Sequence, residues 1–276
     1  MSLIFLNLKR FDIPREKNGV NSISSPFSWG EFIIKNVQDK LSQFDDSTFV
    51  VFFPEAHIIP AVLAKNDLSP MIIGCQGVHY ADTQKGGNFG AFTTGFPASA
   101  ASSIGCQWTI IGHCEERRDK INLIAQGGGN DYSAVNAILN QEIKCALNAG
   151  LSVLYCIGEK QEELEISDKV LKDQLQMGLE GVNTEKIVIA YEPVWAIGPG
   201  KTLPDRSYIM EKAQYIKEIT NGLPVVYGGG LKKENAAMLA SIDEISGGLI
   251  ALTRFSGDIG FYPDEYIEII KAYHEK

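Results

Sequence analysis

A chain of 276 residues, 45% hydrophobic and 21% charged, is long enough to bury a sizeable core and has the balance of a globular protein rather than a disordered, collagenous or coiled-coil one. Its formal net charge of −9 excludes a broad basic surface for nucleic acid, yet leaves room for an anion held locally by a few lysines and backbone N–H groups. The cysteines, Cys75, Cys106, Cys114, Cys145 and Cys156, are odd in number and lack CxxC spacing, which argues for reduced, packed thiols over a disulfide framework. No metal site is expected, because none of His57, His79, His113 and His274 forms a ligand pair with a cysteine at zinc-site spacing. No apolar run approaches the roughly 18 residues of a membrane span. Residues 1–9 enter a strand pattern with neither a basic leader nor a cleavage motif, so a cytoplasmic location is expected.

In chain order, short apolar runs predict strands over 3–8, 49–53, 71–75, 108–112, 152–157, 187–191, 224–227 and 249–252. Most are apolar throughout rather than alternating, the mark of strands buried on both faces in a parallel sheet. Helical periodicity fills several of the gaps. Residues 29–44 set Phe32, Ile33, Val37, Leu41 and Phe44 on one face, and 132–149 and 162–178 behave alike. Residues 207–220 align Ile209, Ala213, Ile216 and Ile219, while 264–273 opens after Pro263, a residue favoured at helix starts.

Strands alternating with helices fit either a closed (β/α)8 barrel or an open doubly wound sheet. The first strand ends in Asn7-Leu-Lys-Arg10 with no GxGxxG fingerprint, and the glycine runs follow late strands: Gly198-Pro-Gly200, Gly228-Gly-Gly230 and Gly247-Gly248. Barrels build phosphate sites there, so the pattern favours an α/β fold of the closed parallel barrel type, as one domain over 1–276. Stretches 11–28 and 126–131 exceed the usual βα loop of about 2–6 residues and read as insertions on the specificity-bearing face.

Four constellations stand at strand ends. Alternation sends Asn7 and Lys9 to one face, where an amide and a lysine attract an anion, unless they are an ordinary exposed pair. His113 closes an apolar strand and opens the charged run Cys114-Glu-Glu-Arg-Arg118, which also suits a solvated helix start. Glu192 ends a buried strand, followed by Pro193 and an apolar, Gly-hinged segment. Such a segment can close, exclude water and raise the carboxyl's pKa; the plain alternative is an ion-paired surface glutamate. Gly228-Gly-Gly230, followed by Lys232-Lys-Glu-Asn235, presents N–H groups to one point, as phosphate loops and many ordinary turns both do.

These residues resemble the triosephosphate isomerase family. Ala190-Tyr-Glu-Pro-Val-Trp-Ala-Ile-Gly-Pro-Gly-Lys201 is similar to the family's AYEPVWAIGTGK lid, Gly112-His-Cys-Glu115 to GHSE, Cys156-Ile-Gly-Glu159 to CIGE, and Asn7-Leu-Lys9 to NxK. Gly90-Ala-Phe-Thr93 resembles the dimer loop GAFTG, and Tyr227-Gly-Gly229 the start of YGGS. The resemblance runs in family order through nearly the whole chain. It implies a TIM barrel, a homodimer, a sugar-phosphate substrate, neither metal nor organic cofactor, and no nucleic-acid or membrane partner. It implies Glu192 as the base, His113 as the electrophile, Lys9 and Asn7 as stabilisers of an enediolate, and Glu115 in support. Phosphate would be held by Asn7, Lys9, Gly198, Gly230, Ala251 and Leu252.

The departures from the family fall unevenly. Pro199 replaces the lid threonine, Cys114 the serine after the histidine, and Gly230 the serine of YGGS; Glu116 enters the charged run. Ala251-Leu252 stands where the family has a glycine pair at the phosphate, with Arg254 nearby as a compensating charge. Thr94-Gly-Phe96 replaces the glutamate of the dimer loop. The leading expectation is interconversion of dihydroxyacetone phosphate and glyceraldehyde 3-phosphate, a glycolytic and gluconeogenic step. Isomerisation of a tetrulose phosphate is the alternative, with a non-catalytic sugar-phosphate-binding barrel behind it.

Overall fold

A computed structural model describes residues 1–131, 133–198 and 200–275. Eight parallel strands close into a barrel: β1 (Ser2–Asn7), β2 (Ser47–Phe53), β3 (Met71–Cys75), β4 (Trp108–Ile111), β5 (Ser152–Ile157), β6 (Ile187–Tyr191), β7 (Val225–Tyr227) and β8 (Gly247–Ile250). Around them run α1 (Trp29–Leu41), α2 (Glu55–Ala64), α3 (Ala98–Ser103), α4 (Cys114–Gln126), α5 (Ser133–Asn148), α6 (Ser167–Gly178), α7 (Arg206–Ile219), α8 (Ala236–Ala240) and α9 (Pro263–His274).

The period of two explains why the strands look apolar throughout. Odd and even positions feed different cores, both dry. Phe5, Val50, Phe52, Ile110, Leu154, Val188 and Val226 fill the barrel interior, with Phe5 and Phe52 stacked at 6.0 Å between centroids. Their neighbours, such as Ile4, Leu6, Val51, Val153 and Ile189, face the helices. Register runs without interruption from Ser2 opposite Ser47 to Asn7 opposite Phe52, which brings the strand ends to one rim.

Several boundaries differ from expectation. β8 ends at Ile250, not at Leu252. Gly247 and Gly248 look like a turn but belong to the strand, because the chain approaches too closely for a side chain. A Cβ at Gly247 would sit 1.8 Å from the Leu3 carbonyl oxygen, and one at Gly248 2.8 Å from Leu231 Cβ. Ala251 and Leu252 therefore lie on the rim. α2 is hidden in the sequence by Pro60, which usually breaks a helix. α4 is hidden by its charge, for it buries no residue at all. The expected helix over 162–178 divides into a 3₁₀ turn, Gln161–Ile166, followed by α6. Tyr132, expected to open α5, lies outside the described residues.

The first insertion is anchored rather than loose. Asn21 donates to the carbonyls of Asp12 and Ser24, at 3.1 and 2.9 Å. Asp12 is itself buried, between Arg10 at 2.9 Å and His57 at 3.3 Å.

Candidate active site

Asn7 is the last residue of β1, and Lys9 reaches the site through a turn, not by strand alternation. The Lys9 N–H donates to Asn7 Oδ1 at 3.0 Å, and Lys9 adopts φ 42°, a left-handed conformation uncommon for a side-chain-bearing residue. Gln76 holds the strained turn by donating to the carbonyls of Lys9 and Phe52 at 2.9 and 3.2 Å. The Lys9 ammonium is thereby aimed across the barrel mouth, to Glu115 Oε1 at 2.7 Å. Burial pushes the Glu115 carboxyl up, but the bond and charge of Lys9, helped by His113 and Arg118, outweigh it and hold the group below its ordinary range.

His113 caps α4. Its Nδ1 accepts the Glu115 N–H at 3.2 Å, so this nitrogen carries no proton and the ring presents Nε2–H. That atom lies 3.3 Å from Glu192 Oε1. Glu192 follows the last residue of β6 and is 1% exposed. Its Oε2 accepts the Cys114 N–H at 2.9 Å, while Oε1 has no hydrogen-bond partner. Gly158 and Gly228 let the chain close around it: a Cβ at Gly158 would meet the Glu192 carbonyl oxygen at 1.7 Å, and one at Gly228 would meet Glu192 Cγ at 2.6 Å. Burial raises the Glu192 pKa; His113, the Cys114 N–H, Lys9 and Arg117 oppose this and lose. A desolvated carboxylate with one unpaired oxygen, beside an N–H donor and a lysine, is equipped to take a proton from carbon.

These groups share one cavity of about 960 Å³ with the glycine loops. Asn7, Lys9, His113, Glu115, Glu192, Gly198, Gly230, Ala251 and Leu252 all line it, so the residues expected to do the chemistry and to hold phosphate come to the same place. Asn235 braces the far end: its Oδ1 accepts the Lys232 N–H at 2.8 Å, and its Nδ2 donates to the Gly230 carbonyl at 2.9 Å.

Arg254 does not serve there. Thr253 and Arg254 donate their N–H groups to the Gly260 carbonyl, both at 3.1 Å, forming a hairpin that turns the guanidinium outward. It is bound to Glu265 at 2.8 Å from Nε, and its Cζ lies 4.0 Å from the centre of the Tyr262 ring. The cavity cation beside Gly230 is Lys232. Glu159 is the residue whose role the sequence reading missed. Fully buried, it accepts from Tyr191 Oη at 2.9 Å, Trp195 Nε1 at 2.8 Å and Tyr208 Oη at 3.0 Å. It thus ties the root of the lid, where the 3₁₀ turn Val194–Ala196 begins, to α7. An acid just after a buried apolar strand was the available signal; its three aromatic donors are distant in sequence. Pro199, the altered lid residue, lies outside the described residues.

Ligand atoms of His113, Cys114 and Glu192 lie within 4.8 Å of one another, a grouping the spacing rules did not anticipate. Burial, and then the Glu192 charge, push the Cys114 thiol up to about 12, so the thiolate a soft metal needs is disfavoured. The cluster is better suited to moving protons.

The family model for triosephosphate isomerase matches residues 28–272. The chain belongs to the triosephosphate isomerase family. The triosephosphate isomerase of Syntrophotalea carbinolica is 32% identical over 256 residues, covering 87% of this chain and 90% of that one. That of Prosthecochloris aestuarii is 33% identical over 235 residues, covering 79% and 84%. A crystal structure of triosephosphate isomerase from Bartonella henselae superposes with a TM-score of 0.73, covering 99% of both chains at 22% identity, a likeness of fold. Within this family frame, Cys114 in place of serine costs little positioning, since it is the backbone N–H that holds Glu192. The loop with the family's dimer motif leaves Phe89 87% exposed.

Proposed function

We propose that the protein interconverts dihydroxyacetone phosphate and glyceraldehyde 3-phosphate, with Glu192 as base and His113 as electrophile. The observation that carries this is the pairing of a buried carboxylate, one oxygen unpartnered, with an imidazole Nε2–H 3.3 Å away in a cavity that also holds Lys9. Glu192 removes a proton from the carbon beside the carbonyl. The electron pair moves onto the carbonyl oxygen, which His113 Nε2–H and the Lys9 ammonium stabilise as an enediolate, with Asn7 assisting. His113 relays a proton between the two oxygens, and Glu192 returns its proton to the neighbouring carbon. Asn7, Lys9, Gly198, Gly230, Ala251 and Leu252 surround the phosphate, with Glu115 keeping Lys9 in register.

The chain acts as one barrel unit, in the cytoplasm and as a homodimer. The family loop at 90–93 and the exposed Phe89 beside it support the dimer. Bacterial relatives, and the lack of any helix among the described residues long and apolar enough to cross a membrane, support the location.

Measuring kcat/KM over a panel of triose and tetrulose phosphates, with Glu192→Gln as control, tests the assignment. The triose pair is expected to be preferred. A tetrulose phosphate faster by more than about tenfold, roughly 1.4 kcal/mol in the barrier, would displace it. Absence of turnover on every substrate would leave a binding barrel.

A further inference from the structure

The two ends of the cavity differ in what their cations are doing. Lys9 is paired with Glu115, Arg118 with Asp119, and Arg254, outside the cavity, with Glu265. Arg117 spends its donors on the carbonyls of Gly112 and Cys156, the Asn136 amide and the Tyr155 hydroxyl. Lys232 is different. Like the cavity-lining Lys160 it has no carboxylate partner among the described residues, but it alone of the two is seated on a ring, its Nζ 3.9 Å from the centroid of Phe255. Its stem arches back over the glycine loop, so that a Cβ at Gly230 would come within 3.7 Å of Lys232 Cε. Its backbone is fixed by Asn235, itself 3% exposed. An ammonium on a braced loop, seated on an aromatic face with its stem beside Gly230, is preorganised for an anion.

The ring that seats it belongs to the same alteration that changed the phosphate loop. Phe255 sits in the hairpin that begins at Thr253 and closes at Gly260, directly after Ala251-Leu252 replaces the glycine pair. Side chains at these two positions limit how closely the backbone N–H groups there can approach a phosphate. A charge-bearing side chain arrives with that change.

We propose that Lys232 is a phosphate-binding residue of this protein, supplying by its ammonium the grip that other members draw from the strand-eight glycine pair. This rests on the sugar-phosphate isomerase reading for its substrate class, and on the geometry alone for its anion chemistry. The phosphate dianion attracts Nζ more strongly than the ring face does, so the lysine moves from Phe255 onto the phosphate while its loop stays braced. It never reaches the carbon undergoing proton transfer. The expected signature is thus weaker binding with little loss of turnover.

The experiment measures inorganic phosphate affinity by calorimetry, and KM and kcat with a triose phosphate, for wild type, Lys232→Met, Lys232→Arg and Lys160→Met. Lys160 also lines the cavity but follows β5, separated from β7 by β6, and serves as the control. Lys232→Met is expected to weaken phosphate and raise KM roughly 10–100-fold, the worth of one charge-assisted contact, with kcat within about threefold. Lys232→Arg restores most of the loss, and Lys160→Met leaves phosphate binding unchanged. Equal phosphate binding by wild type and Lys232→Met, undetectable binding by both included, overturns the proposal. So does a fall in kcat without a change in KM, or an equal loss in Lys160→Met. If phosphate binding weakens in Lys232→Met while wild type turns over no triose phosphate, the anion site stands and the isomerase reading falls.

Discussion

The rim of β1, β4 and β6 and the rim of β7 and β8, which sits between β6 and β1, share one cavity, and they are built on different principles. At the first, side chains are locked: Lys9 by its own strained turn, His113 by the α4 N-terminus, Glu192 by the Cys114 N–H and two glycines. Moving any of these atoms by an ångström would spoil proton transfer, and all keep family residue types. At the second, the backbone cradle is altered at Gly230, Ala251 and Leu252, and Lys232, seated on the Phe255 ring, stands beside it. Proton transfer tolerates no substitution of its parts, whereas a dianion can be held by any well-placed positive charge.

The largest expected effect comes from breaking the first rim. Glu192→Gln should lower kcat by about 10²–10⁴-fold, the usual worth of a general base, with KM nearly unchanged; steady-state kinetics decides. The same variant should be more stable at neutral pH. A carboxyl whose folded pKa is raised contributes stability that is whole below its unfolded pKa and lost as pH rises toward the folded value. Thermal unfolding of wild type should therefore fall relative to Glu192→Gln as pH rises from about 4.

Next is the lid root that joins the two rims. Glu159→Gln puts an amide where three donors converge on one carboxylate oxygen. Loss of about 1–3 kcal/mol of stability is expected in denaturant titration, with lower kcat from a poorly seated lid. A smaller, directional effect lies in pH. Activity needs Glu192 ionised, so kcat/KM should be full above its raised pKa and decline as pH falls through it. The acid limb then sits above the range of an ordinary glutamate. Smallest of all, Cys114→Ser should alter kcat/KM by less than about threefold, because the contact to Glu192 is made by a backbone N–H.

What could be seen in the sequence follows the same division. β3, β5 and β6 run over their expected residues, since continuous β-branched runs bounded by polar turns have few other uses. Glu192 and His113 stood out because a carboxylate and an imidazole at the ends of buried strands are costly without a task. Asn7 and Lys9 were expected together for a reason that proves incomplete: the turn after β1, not strand alternation, aims the lysine. β8 was displaced by two residues because close packing against Leu3 and Leu231, which dictates its glycines, is invisible in one dimension. Arg254 and Lys232 were indistinguishable as charges until the hairpin turned one outward to Glu265 and left the other over Phe255. Glu159 looked like part of a motif, and only the convergence of Tyr191, Trp195 and Tyr208 reveals its work.

The central claim is that Glu192 carries a proton between adjacent carbons of the substrate. Isomerisation of dihydroxyacetone phosphate in D2O, followed by proton NMR, tests it most directly. The account predicts deuterium at the carbon beside the carbonyl with wild type, in proportion to exchange of the protonated Glu192 carboxyl with solvent before it returns its proton, and loss of both exchange and product with Glu192→Gln. Exchange or isomerisation undiminished in Glu192→Gln would contradict it.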